Sequence, residues 1–180
     1  MTRSRSVRAG NTARRMAIAV LLATSFAWTG TVLAAPYLVS HEGVHRHAVL
    51  AGGLAYVLGS GICHQRPERS YHPWGTQSPV CARCEGIYLA APFGIALVLT
   101  RHRRRASRGS DATARAVGPT RSVLAWRQAV IWACLPTAVT LAWEWTTGDM
   151  TPGVVRLAAG AALGGTLAAL VAAVAVGEVH

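Results

Sequence analysis

The 180-residue chain contains no lysine, only seven acidic side chains and two phenylalanines. Charged residues make up 14% of it and hydrophobic residues 52%, a balance that points to membrane and away from a soluble domain. No glycine-rich nucleotide loop, hydrolase triad or metalloprotease helix can be read in it. No module combining basic and aromatic residues is present either, so the formal charge of +11 is not read as nucleic-acid binding. Arginine alone carries the positive charge, and it sits in blocks outside the apolar runs. That placement is a topology signal and an attraction to anionic headgroups.

What is abundant is uncharged apolar sequence, and the length suits one compact unit. After a basic, polar head at residues 1–15, expected to be disordered and cytoplasmic, residues 16–35 carry no charge. About 20 such residues cross a hydrocarbon core of about 30 Å. The same stretch, ending near "VLA" at 32–34, also reads as a signal peptide; an uncleaved helix is favoured on length. Further spans are expected at 81–100, 123–145 and 154–176. The segment 48–62 is apolar but short and interrupted by four glycines, too short for a full crossing. The fold class is therefore all-α. Residues 16–180 form one polytopic bundle of four spanning helices plus one short re-entrant or packed helix.

Charge chooses among topologies. The head and the basic loop at 101–122 hold twelve of the eighteen arginines. Both are cytoplasmic in a plasma-membrane protein if 48–62 does not cross; five crossings would put the seven-arginine loop outside. In the four-span arrangement "GICHQRPERSYHPWGTQSPVCARCEGIY", residues 61–88, faces outward. The spans from Cys81 and Val123 together cross twice, so Glu144, Asp149 and Arg156 return to the face that carries Cys63, Cys81 and Cys84. In the last span Gly160 and Gly164 are spaced for close helix approach, expected within the chain rather than between chains.

The stretch 61–88 carries the chemistry. Cys81 and Cys84 are three apart and share one face of a helix that starts there. The first-turn dipoles and Arg83 favour thiolate, which is both metal ligand and redox nucleophile. Cys63 adds a third sulfur. Three sulfurs and one nitrogen make a closed tetrahedral zinc site, with His64 first choice for the nitrogen and His72 in reserve. Soft sulfur also admits copper(I). A structural zinc contributes on the order of 10 kcal/mol to ordering such a loop. A disulfide between Cys63 and one of the pair is the competing reading at an outward location. Glu85 follows Cys84 where haem attachment would need histidine. His41, His45 and His47 form a second candidate metal-collecting arm. Cys134, alone in an apolar run, is expected to be a buried hydrophobe.

Glu144 is costly within a span unless it lies at the interface or faces a partner, for which Arg156 is the natural choice. Interfacial placement between Trp143 and Trp145 explains it equally. Arg66, Arg69 and Arg83 are either solvated, paired with carboxylates, or part of an anion-binding rim.

These residues resemble the signature of the bacterial membrane proteins grouped as domain of unknown function 2085. The matching positions are Cys63, His64, Gln65, Pro67, Arg69, Ser70, Tyr71, Gly75, Pro79, Val80, Cys81, Ala82, Arg83, Cys84, Gly86, Ile87 and Tyr88. Glu85 replaces the family's usual threonine. Glu144 and Arg156 look like the acidic residue and arginine that the family places on consecutive helices, without its usual Asp-Gly and Ser-Asn pairs. The resemblance implies membrane location and the importance of the motif, and no particular activity.

Three functional readings follow. The first is a Cys/His metal site holding zinc or copper, for metal handling or as a metal-stabilised scaffold for a membrane or secreted protein partner, with Arg69, Arg83, Glu144 and Arg156 in support. The second is a membrane thiol–disulfide oxidoreductase in which Cys81 and Cys84 cycle and Cys63 resolves. The third is a structural membrane module without chemistry.

Overall fold

A computed structural model describes residues 2–41, 43, 45–107 and 119–177. Five α-helices run through it: α1 (Thr2–Ser40), α2 (Arg46–Ile62), α3 (Ala82–Ser107), α4 (Pro119–Thr147) and α5 (Gly153–Val176). No strand occurs among the described residues. Lipid offers the backbone no hydrogen-bonding partner, so uncharged runs of this length satisfy their amides internally as helix. Four helices are long and apolar enough to span: Met16–Ser40, Ala82–Arg104, Val123–Thr147 and Gly153–Val176. Each contains the span expected from the sequence, apart from Cys81, which lies just ahead of the first residue of α3. Helix α1 begins at Thr2, so the basic head continues the helix instead of forming the expected coil. Likewise α3 runs on through the first arginines of the basic loop; residues 108–118 of that loop lie outside the described residues.

Helices α3 and α5 run parallel and approach most closely. A side chain at Gly160 would fall on the carbonyl oxygen of Arg83, and one at Gly164 on that of Ile87. From the other side, Gly86 admits the backbone of Leu157 and Gly94 that of Gly165. The expected small-residue stripe thus serves packing within the chain, where missing side chains let the helix backbones touch. Helix α1 is antiparallel to α3. The Thr29 hydroxyl donates to the Tyr88 carbonyl across 2.7 Å, and Trp28 meets the Tyr88 ring edge-on. Further along, Ile18, Leu21 and Leu22 pack on a core of Ile95, Val98, Ala169, Ala172, Ala173 and Val176. Helix α4 returns antiparallel to α5, with Thr137 donating to the Ala159 carbonyl.

Helix α2 does not run the length of the bundle. Gly52 rests on Ala35, Leu38 and Val39 near the end of α1, while Cys63, which ends α2, packs with Val32. The middle of α2 and the cysteine that follows it therefore both lie against the last third of α1, and this short helix packs on α1. The bundle has two chemically distinct ends. One carries the loop from Cys63 to Cys81 and the α4–α5 connection. At the other, the Arg14 guanidinium donates to the Ala175 carbonyl across 2.6 Å, beside the arginine-bearing end of α3.

Candidate metal centre

The loop between α2 and α3 is folded by polar contacts that bring its two ends together. Cys63 follows the last turn of α2 with its amide on the Gly59 carbonyl, 2.8 Å. Gln65 then takes a left-handed φ of 45°, and its side-chain amide donates to the carbonyls of Tyr56 (2.8 Å) and Pro79 (2.7 Å). One amide thus joins α2 to the residue two before Cys81. A side chain at Gly59 would strike the Pro79 carbonyl, so α2 meets the loop backbone to backbone. The Tyr56 hydroxyl donates to the Gln77 carbonyl, the Gln77 side chain to the Gln65 carbonyl, and the Ser78 hydroxyl to Glu85 on the first turn of α3. Between these points two 3-10 turns, Pro67–Arg69 and Pro73–Gly75, carry the chain outward, and Trp74 docks on Tyr37 of α1 with ring centroids 5.5 Å apart.

The result is a cluster of three sulfurs. The Sγ atoms of Cys63, Cys81 and Cys84 all lie within 4.8 Å of one another. Cys63 is buried, and the other two are half-buried among Val32, Val80, Trp28 and Tyr88. Three sulfurs bound to one tetrahedral zinc at about 2.3 Å stand about 3.8 Å apart, so the cluster needs only a small contraction to fit. The Cys81 amide donates to the Cys63 sulfur at 3.2 Å. Hydrogen bonding from the Cys84 thiol, helped by the Cys84 and Arg83 amides and the Cys63 thiol, outweighs burial and lowers the Cys81 thiol to about 5. The donor set suits a thiophilic ion.

Among the described residues no histidine joins this group. His64 is exposed, because Cys63 is extended (φ −143°, ψ 140°) and consecutive side chains of extended backbone point to opposite sides. His72, at the head of the second 3-10 turn, is exposed too. Among the candidate arm residues, His41 stacks on Tyr37, while His45 and His47 are exposed at the start of α2. The expectation for Cys134 is corrected: it is exposed, because α4 packs through one face and Cys134 lies on the other.

The expected supporting residues do converge at this end of the bundle. Glu144 is 7% exposed. Its carboxylate lies 3.7 Å from Arg69, 3.7 Å from Arg83 and 4.0 Å from Arg156, and it accepts a 2.6 Å hydrogen bond from Thr151. Arg83 reaches this cluster from between Cys81 and Cys84, donating also to Thr140 of α4. Arg66 instead pairs with Glu68, both exposed, and Asp149 is exposed. Sequence reasoning had no role for Tyr56, Gln77, Thr140 or Thr151. Gln65 was visible only as a motif position, since nothing in the sequence says which carbonyls a glutamine amide will bridge.

Two archaeal proteins are similar over short stretches. An uncharacterized protein of Methanocaldococcus jannaschii is 48% identical over 40 residues, 22% of this chain and 26% of the relative. One of Methanothermobacter thermautotrophicus is 57% identical over 30 residues, 17% of this chain and 27% of the relative. The matched stretch spans about a quarter of each. Relatives of the chain are thus found among archaea, beyond the bacteria in which the family was expected. No solved structure matches. The profile of the predicted membrane proteins designated DUF2085 matches residues 63–170, from the first cysteine of the cluster well into α5, and the chain belongs to that family.

Proposed function

We propose that the chain binds a thiophilic metal ion, zinc or copper(I), through the thiolates of Cys63, Cys81 and Cys84, for metal handling or as a metal-stabilised scaffold at one membrane face. The observation that carries this reading is the meeting of three sulfurs within 4.8 Å, brought together by two loop ends that a single glutamine side chain joins. Three thiolates leave one tetrahedral position for solvent, for a ligand from a membrane or secreted partner, or for His64 once the backbone at Cys63 turns it inward. An exchangeable fourth ligand suits handling better than a closed structural site does. The positive-inside rule assigns the arginine-bearing end to the cytoplasm of a plasma-membrane protein and the sulfurs to the outer face. Metal analysis of detergent-purified protein tests the reading: about one ion per chain is expected, lost when Cys81 is changed to serine.

The low Cys81 thiol favours a second reading, thiol–disulfide exchange. In it the Cys81 thiolate attacks a partner's disulfide and displaces one of its sulfurs. A second thiol, Cys84 or Cys63 as the resolving group, then attacks the Cys81 sulfur of the mixed disulfide, closing an intrachain disulfide and releasing the partner as a dithiol. Thiol counting with and without reductant separates the two: a reducible Cys81–Cys84 bond in metal-free protein supports exchange.

A further inference from the structure

We propose that Arg69, Arg83 and Arg156, gathered about Glu144, bind a phosphate group that can carry a proton, either as free monohydrogen phosphate or as the monoester headgroup of a phosphatidic-acid-type lipid. This goes beyond the thiolate site and does not depend on it.

The cluster carries unbalanced charge. Three guanidinium groups face a single carboxylate, at 3.7, 3.7 and 4.0 Å. No other described carboxylate forms an ion pair with them: Glu68 pairs with Arg66 and offers Arg156 only its backbone carbonyl, at 3.5 Å. The side chains of Arg83 and Arg156 are 15% and 8% exposed. Cations withdrawn from water to this degree are costly without counter-charge, and one glutamate neutralises one of three.

The hydrogen bonding is also incomplete in a definite pattern. None of the three ion pairs is short enough to be a hydrogen bond, so the arginines surround Glu144 without clamping it. The buried Nε atoms of Arg69, Arg83 and Arg156 have no acceptor, and Oε2 of Glu144 has no donor. Three spare donors call for an oxyanion with several acceptor oxygens, the ligand that guanidinium groups hold best. The spare acceptor calls for a proton on that same anion. Monohydrogen phosphate and a singly protonated phosphate monoester carry one. Sulfate and phosphodiesters do not, and they would turn a bare oxygen toward the carboxylate.

The way in is from the loop, where the Arg69 side chain is 30% exposed. Trp143 and Trp145, both exposed, flank Glu144, and tryptophan is enriched where helices meet lipid headgroups, so the site suits a membrane lipid as well as a free ion.

The test uses the full chain in nanodiscs of neutral lipid, titrated calorimetrically with inorganic phosphate and with sulfate, beside nanodiscs carrying phosphatidic acid or phosphatidylglycerol. Saturable binding of phosphate, or of phosphatidic acid in preference to phosphatidylglycerol, is expected; the first identifies a free ion and the second a headgroup. Arg69→Gln should weaken whichever binds by about tenfold or more. Glu144→Gln should narrow the preference for phosphate over sulfate. Cys81→Ser should leave anion binding intact while removing metal, so failure here is distinct from failure of the thiolate site. Should Glu144→Gln not fold, Arg69→Gln decides, since that side chain lies at the open edge. Absence of saturable binding by both phosphate and phosphatidic acid, sulfate bound as well as phosphate, or unchanged affinity in folded Arg69→Gln protein would overturn the proposal.

Discussion

The backbone amide of Cys81 points at the sulfur of Cys63, 3.2 Å away, although the two lie eighteen positions apart. The amide comes from the residue that supplies the next sulfur. The contact ties the end of α2 to the start of α3.

If that contact reflects a metal site, the three clustered cysteines should behave alike and the fourth should not. Serine at Cys63, Cys81 or Cys84 should each reduce bound zinc or copper from about one per chain to a small fraction. Serine at Cys134, which lies outside the cluster, should leave it unchanged. Elemental analysis of the four variants checks this.

The lowered Cys81 thiol sets a pH dependence. Its pKa falls from the ordinary thiol range to about 5, so in metal-free, reduced protein the thiolate persists at neutral pH and is lost only as pH falls through about 5. The stabilisation linked to this shift is complete above the unfolded thiol pKa and declines as pH drops toward 5. Alkylation of Cys81 by iodoacetamide, followed by mass spectrometry, should therefore be nearly constant from pH 8 to 6 (an expected window) and slow steeply below about 5. A rate that instead falls tenfold per pH step below 8 would mean an ordinary thiol.

Gln65→Ala removes the amide that bridges the Tyr56 and Pro79 carbonyls. Leaving two part-buried acceptors unpaired costs about 2 kcal/mol, and the loop ends are freed to separate. Metal affinity should fall although no ligand has changed, as competition with a zinc chelator would show.

Close helix contact predicts opposite results at two glycines. Gly160→Leu places side-chain atoms where the Arg83 carbonyl stands and should lower the detergent melting temperature sharply, the overpacking costing about 3 kcal/mol or more. Gly53→Ala, on α2 with open space around it, should be neutral or slightly stabilising.

Orientation is open to a fusion test. Helix α5 ends beside Arg14, so green fluorescent protein fused after His180 should fluoresce in the cytoplasm if the arginine-bearing end is inside. An alkaline phosphatase fusion at the same point should be inactive.

Much of this fold was legible in the residue order. Lipid permits a long uncharged run little besides helix, so the four spans could be placed from composition alone. The brevity and glycines of 48–62 marked it as a short re-entrant or packed helix, and counting crossings brought Glu144 and Arg156 to the end that holds the cysteines. That the three cysteines would meet could also be expected, because Cys81 and Cys84 lie three apart at a helix start and Cys63 lies one loop away.

Geometry across the chain supplied the rest. Whether imidazole joined the sulfurs depended on the extended backbone at Cys63, which turns His64 away. Whether Glu144 met one arginine or three depended on where α3, α4, α5 and the loop stand relative to one another, since Arg69, Arg83 and Arg156 come from three separate segments. Local sequence sets which backbone states and which solvent a segment can tolerate. Side-chain partners are chosen by distances between segments, and those exist only once the helices have packed.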